Sequence, residues 1–137
     1  MDAKRLATGT LAGGLAMFAA GYVIFDLVFA SFFAANAGAD ATWRETSLQW
    51  AIGLGNLILA ALITLAIGWS RAASMAEGFK IGAIVGLLVW LGVNFILYGI
   101  MDNLNLTATI VDGLLGGVLF GIGGAAISAA LGKTSSS

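Results

Sequence analysis

Four polar residues stand inside long apolar stretches of this sequence: Asp26, Asn56, Asn94 and Asp112. A carboxylate in a lipid-embedded helix can hold a proton or a small cation, and a neighbouring asparagine can fix its orientation by hydrogen bonding. Helix geometry puts all four near one depth. Asn56 stands eight residues after Leu48, where the second apolar run opens, and Asn94 eight residues before Asp102, where the third closes. At about 1.5 Å per residue, both lie ~12 Å inside the same boundary. Asp112 follows Leu106 by six residues, or ~9 Å. Asp26 comes ~30 Å after a helix entry near Leu6, at the far interface. The spacing therefore predicts a polar layer in the outer leaflet, with one member from each helix. No Lys or Arg falls within it, and Arg44 in the adjoining loop is the nearest base. A structural role carries more weight than an ion-binding one here: asparagines and a hydrogen-bonded aspartate lock helices together, at about 0.6 kcal/mol per contact. Tyr22 and Tyr98 are candidate hydrogen-bond partners for the acids. Trp90, mid-span, is expected to fill a packing gap or face lipid rather than stack on a ligand.

Other chemistry is narrower. The 137 residues contain no cysteine, no histidine and no proline. Lacking cysteine, the chain has no disulfide, thiolate ligand or thiol nucleophile. Lacking histidine, it has neither the commonest metal and haem ligand nor the usual activator of a serine or threonine. No catalytic residue, metal site or cofactor is expected, and the chain is read as not an enzyme. A pigment would need asparagine or aspartate as an unusual axial ligand. The glycine pairs lie inside apolar runs rather than after a strand, so they are not phosphate loops. A net charge of −1 gives no electrostatic case for nucleic acid.

The elements that must position these residues are helices. The chain is 60% hydrophobic and only 9% charged, against about a quarter charged in soluble domains. Four apolar runs, about 6–35, 48–70, 78–101 and 106–132, are each long enough to span a bilayer. The expectation is a single membrane domain over 1–137: an all-α integral membrane four-helix bundle, two antiparallel hairpins, with 133–137 a disordered tail. The basic start and the small residues of Ala34 to Ala39 mimic a signal peptide, but the first run is too long for one and is read as a retained helix. Leu27 to Ala35 is expected to run on as a helical extension along the outer surface. Ser47 is the expected cap of the second helix, and Trp50 and Trp69 near its ends suit the headgroup zone. With no proline, no helix has the usual cause of a sharp kink.

Glycine organises the packing. Gly113, Gly117, Gly121, Ala125 and Ala129 form one small-residue face on the last run, beside a second row of Gly116, Phe120, Gly124, Ser128 and Gly132. The third run opens with another ladder, Gly78, Gly82 and Gly86. In water each glycine costs a helix about 1 kcal/mol relative to alanine. In lipid the backbone has no water to bond to, so the helix persists and glycine becomes a surface for close approach. The Gly113 face is expected to be buried against another helix, within the chain or across a dimer. A weak repeat lays Leu48, Ile52, Gly55 and Leu57 over Leu106, Ile110, Gly113 and Leu115, and Gly9 and Gly13 over Gly82 and Gly86.

Several stretches together resemble a group of small, uncharacterised bacterial four-span membrane proteins: Gly21-Tyr-Val-Ile-Phe-Asp, Phe32-Phe-Ala-Ala-Asn, Gly55-Asn-Leu, Gly78-Phe-Lys-Ile-Gly-Ala-Ile-Val-Gly-Leu and Thr107-Ala-Thr-Ile-Val-Asp-Gly-Leu-Leu-Gly-Gly. The resemblance covers nearly the whole chain and implies the four-span topology, but carries no catalytic residue across. The expected role is a small structural or accessory protein of the bacterial inner membrane, acting through glycine-mediated helix packing. Its partners would be the bilayer and either itself, as a homo-oligomer, or another membrane protein, and no nucleic acid. The alternative is a small proton- or cation-coupled transporter or channel using Asp26 and Asp112.

Basic residues orient the bundle. With four spans, Lys4, Arg5, Arg71, Lys80 and Lys133 fall on one side and Arg44 on the other, so both termini should be cytoplasmic. Cysteines introduced as Ser135→Cys and Thr42→Cys should be labelled by an impermeant reagent from opposite faces of the membrane. Labelling of both from the periplasm would contradict this topology.

Overall fold

The computed structural model describes residues 1–135, with side chains through Gly132. It consists of α1 (Ala3–Gly21), a π-helical segment (Tyr22–Val28), α2 (Ala30–Ala35), α3 (Gln49–Ser70), α4 (Met75–Ile100) and α5 (Leu106–Ser135). Among the described residues the only strand-like pairing is one isolated bridge, Ala37 with Leu104. Four helical stretches are long and apolar enough to cross a membrane: Ala3–Val28, Gln49–Ser70, Met75–Ile100 and Leu106–Gly132. The tail expected over 133–137 starts within α5, which runs to Ser135, and residues 136 and 137 lie outside the described residues.

Helix α5 is the centre of the molecule. Over its most apolar window 56% of residues are buried, against 11–22% in the other three spans. It packs on α4 along one side and on α1 along the other, while α3 packs chiefly on α1. Met17, Ala60, Ile63, Phe120 and Ile127, all fully buried, form the core where α1, α3 and α5 meet.

The α4–α5 contact is backbone on backbone. A Cβ added to Gly78 would strike the Gly124 carbonyl and the Ser128 hydroxyl, one on Gly82 would strike the Phe120 carbonyl, and one on Gly86 the Phe120 side chain. The α4 ladder thus rides on the row Gly116, Phe120, Gly124 and Ser128. The Gly113, Gly117 and Gly121 face also turns to α4, where it receives side chains: Leu91 at Gly113, Leu87 at Gly117 and Phe79 at Gly121. As the α4 number rises along this contact, its α5 partner's number falls. Dispersion between closely apposed atoms holds such a pair together where lipid removes the hydrophobic drive. On the other side of α5, Gly9 and Gly13 admit Thr64, Ala60 and Ile127, and Gly123 lies under the Met17 sulfur.

Three local features differ from the sequence expectation. The first run is not one helix over 6–35. A π-helical stretch follows Gly21, the chain turns at Phe29 (φ −105°, ψ 5°), and α2 starts afresh at Ala30. Without proline, the break comes from the wider π turns, which shift side-chain register. Phenylalanines gather around it, with Phe25 and Phe33 5.8 Å apart and Phe32 and Phe33 5.3 Å apart. Ser47 does not cap α3, because the helix starts at Gln49 with Leu48 in the cap position and no side-chain bond there. Helix α4 begins before Gly78, at Met75, with a capping box. Ser74 Oγ accepts from the Glu77 amide at 3.1 Å, and Glu77 Oε2 accepts from the Ser74 and Ala73 amides at 3.1 and 2.7 Å.

At the far end from the termini, the loop after α2 is sewn to the α4–α5 turn. The Gly38 amide donates to the Asn103 carbonyl at 2.7 Å, the Asp40 amide to the Asp102 carbonyl at 3.0 Å, and the Asn105 amide to the Asn36 carbonyl at 3.0 Å. Asn105 Nδ2 also donates to Asn36 Oδ1 at 2.8 Å, and the Ala39 amide to Asp102 Oδ2 at 3.1 Å.

The helix contact makes a contrast between two glycines of α4. Gly82→Ala forces a methyl into the α5 backbone and should cost about 1–3 kcal/mol, the usual range for overpacking. Gly92 has nothing within 4 Å of an added Cβ, so Gly92→Ala should be neutral or stabilising by up to about 1 kcal/mol. Unfolding in mixed micelles measures both, and equal effects would contradict the contact.

Candidate functional site: a carboxylate-lined vestibule

Asp112 lies in the second turn of α5, and Trp90 and Asn94 stand one turn apart on the facing side of α4. Trp90 Nε1 donates to Asp112 Oδ2 at 3.1 Å, and Asn94 Nδ2 donates to the same oxygen at 2.6 Å. Asn94 Nδ2 also lies 3.4 Å from the Thr109 carbonyl. Glycine makes this reach possible. A Cβ on Gly116 would come within 2.5 Å of the Trp90 ring, whose centroid is 5.9 Å from that of Phe120. Both donors fall on Oδ2, and no described donor meets Oδ1.

Three adjoining cavities open around this carboxylate. One of about 510 Å³ is lined by Phe25, Asp26, Phe33, Trp43, Trp90 and Asp112, among others. A second, about 350 Å³, has Tyr22, Asp26, Asn56 and Trp90 on its wall. A third, about 200 Å³, is bounded by Trp43, Asn94, Tyr98 and Asp112. Their shared walls make one vestibule at the end of the bundle that carries the sewn loops. No lysine or arginine lines any of the three. Met17, Ile63 and Phe120, which neighbour the lining residues Phe18, Leu59 and Leu119 in sequence or stand one turn away, are fully buried.

The four residues singled out from the sequence fall into this region by different routes. Asn94 and Asp112 are hydrogen-bonded to each other. Asp26 and Asp112 share the largest cavity, although they are 86 residues apart in sequence. Asp26 is exposed on the π-helical segment, whose altered register sets it on the walls of two cavities. Asn56 shares the second cavity with Asp26 but does not reach Asp112, since its Nδ2 donates back to the Ile52 carbonyl at 2.9 Å. Tyr22 and Tyr98 stand on the walls and bond to neither acid. Among the described residues no group of three acidic, histidine or cysteine side chains gathers to hold a metal ion.

Two contributors escaped the sequence reading. Trp90 acts through its indole N–H as well as its bulk, and its spacing of four from Asn94 was the available signal. Trp43 reaches the vestibule from the loop that is sewn over the α4–α5 turn; a loop residue carries no periodicity that would announce this. Against known proteins, no family model, curated protein or solved structure matches the chain.

Proposed function

We propose that this chain is a small carrier of the bacterial inner membrane that binds a proton or small cation in the vestibule. The observation that carries the reading is that Asp26 and Asp112 line the same cavity, which has no basic residue among its walls. Two carboxylates lining one largely apolar cavity, with no base among its walls, offer oxygen ligands to a proton or small cation. The fully buried core of Met17, Ile63 and Phe120 favours a carrier, which alternates its access, over an open channel. The arrangement proposed is two antiparallel hairpins, α1 with α3 and α4 with α5, with both termini cytoplasmic. The opposed register of the helix contacts and the five-to-one distribution of basic residues support it. The resemblance to small bacterial four-span proteins supports the inner membrane as its place.

A structural or accessory role is the second reading, and two observations favour it. The Trp90–Asp112–Asn94 bonds tie α4 to α5 whatever else they do. Ile84, Leu88, Ile96 and Ile100 leave a broad apolar face on α4 exposed, suited to lipid or to another membrane protein. The glycine ladders favour association between copies less, because the α5 glycines from Gly113 to Gly124 and the Gly78 ladder are occupied within one chain.

Proton and monovalent-cation flux into liposomes, measured beside thermal stability, separates the two. Asparagine keeps the shape of aspartate but holds no charge and carries no proton. On the carrier reading Asp112→Asn and Asp26→Asn fold as the parent does and lose at least about tenfold in flux. Asp112→Leu should also lose about 1–3 kcal/mol of stability, since it strands the Trp90 and Asn94 donors. A parent without flux, or an Asp112→Asn protein with parental flux, would remove the carrier reading.

A further inference from the structure

We infer that the opposite end of the bundle carries a second site, which binds a phosphate group. A cavity of about 330 Å³ lies between the start of α1, the link from α3 to α4 and the last turns of α5, and Arg5 and Arg71 line it. It stands apart from the vestibule and shares no residue with it.

Three features of this cavity point to an anion. The nearby acids are engaged elsewhere: Asp2 Oδ1 accepts the Arg5 backbone amide at 2.8 Å, Glu77 Oε2 accepts the Ala73 and Ser74 amides, and neither acid lines the cavity. Two helix N-termini (α1 and α4) and two C-termini (α3 and α5) meet at this end, so their dipoles offset and the guanidinium groups set the sign of the field. Finally, Arg71 caps α3 in the left-handed region, at φ 60° and ψ 29°, the only non-glycine residue with positive φ among those described. Glycine is the usual occupant of such a position, and a side chain there is held at a cost of about 1–2 kcal/mol.

Phosphate matches this arrangement better than a carboxylate-sized or halide anion. Guanidinium presents paired N–H donors that fit phosphate oxygens, and two such groups lining one cavity from different elements, α1 and the α3–α4 link, can engage a single phosphate from two sides. The cavity sits at the ends of four membrane-length helices, where a bilayer spanned by them would place its lipid phosphates. The phosphate belongs either to an anionic lipid headgroup or to a free anion.

The test is thermal unfolding of the full chain in phosphatidylcholine micelles, alone, with phosphatidylglycerol, or with inorganic phosphate. The parent should melt at higher temperature when phosphate chemistry is supplied. A rise with phosphatidylglycerol only identifies a headgroup site, and a rise with inorganic phosphate as well identifies a site for the phosphate itself. Arg5→Gln and Arg71→Gly should each weaken the response about tenfold in ligand concentration. Arg71→Gly also keeps the backbone relaxed, so in phosphatidylcholine alone it should melt at or above the parent. That opposed pair of changes distinguishes loss of binding from loss of fold. No response in the parent, or a response that survives in the double variant, overturns the inference.

Discussion

The separation of α4 from α5 is set by atoms that are missing. Where Gly82 crosses Phe120 and Gly124, the two backbones meet with no side chain between them, and a Cβ at Gly82 would lie only 3.2 Å from the Gly124 Cα. Such proximity is possible in lipid because neither helix loses backbone hydrogen bonds to water when it is built from glycine. It also fixes what lies further along the same contact. Leu91 descends onto Gly113 and the Trp90 ring onto Gly116, which brings the indole N–H and the Asn94 amide to the Asp112 carboxylate. A wider α4–α5 spacing would leave this carboxylate within the apolar region without donors.

Packing on the other side of α5 follows a looser version of the same rule. Gly9 and Gly13 bring α1 close to α3 and α5 in the half of the bundle that carries the termini. Beyond Gly21 the helix widens into π turns and the chain breaks at Phe29, so the tight packing is not continued to the other end. The space left open is the vestibule, and the same departure from α-helix sets Asp26 on its wall. The sewn loops close over this end and contribute Trp43. Tight glycine packing and an open carboxylate-lined space are thus consecutive parts of one helix arrangement.

Much of this could be read from residue types and spacing, and the exceptions have physical causes. Four spans follow from run length alone. Matching depths of Asn94 and Asp112 follow from a fixed rise per residue and a short turn, and the two residues are bonded. Which glycine row meets which was not legible, because both rows of α5 are small. Rotation about the axis was settled by where Phe79, Leu87, Leu91 and Trp90 find room. The π-helical segment was hidden because nothing in Tyr-Val-Ile-Phe-Asp-Leu-Val distinguishes a π turn from an α turn, and no proline marks the break. The suggested repeat lays Gly55 over Gly113, yet Gly55 has nothing within 4 Å of an added Cβ while Gly113 packs on Leu91. Similar strings therefore occupy dissimilar surroundings. The bonds that sew Asn36 to Asn105 join positions 69 apart through a loop without periodicity, and no spacing rule reaches them.

The central claim is that glycine-permitted contact between α4 and α5 delivers the Trp90 and Asn94 donors to Asp112. Solid-state NMR in lipid bilayers measures it directly, as the dipolar coupling between the Trp90 indole nitrogen and the Asp112 carboxylate carbon. A coupling of the strength expected for directly hydrogen-bonded groups is expected in the parent, and its loss in Gly82→Leu. No coupling in the parent, or an undiminished coupling in Gly82→Leu, would contradict it.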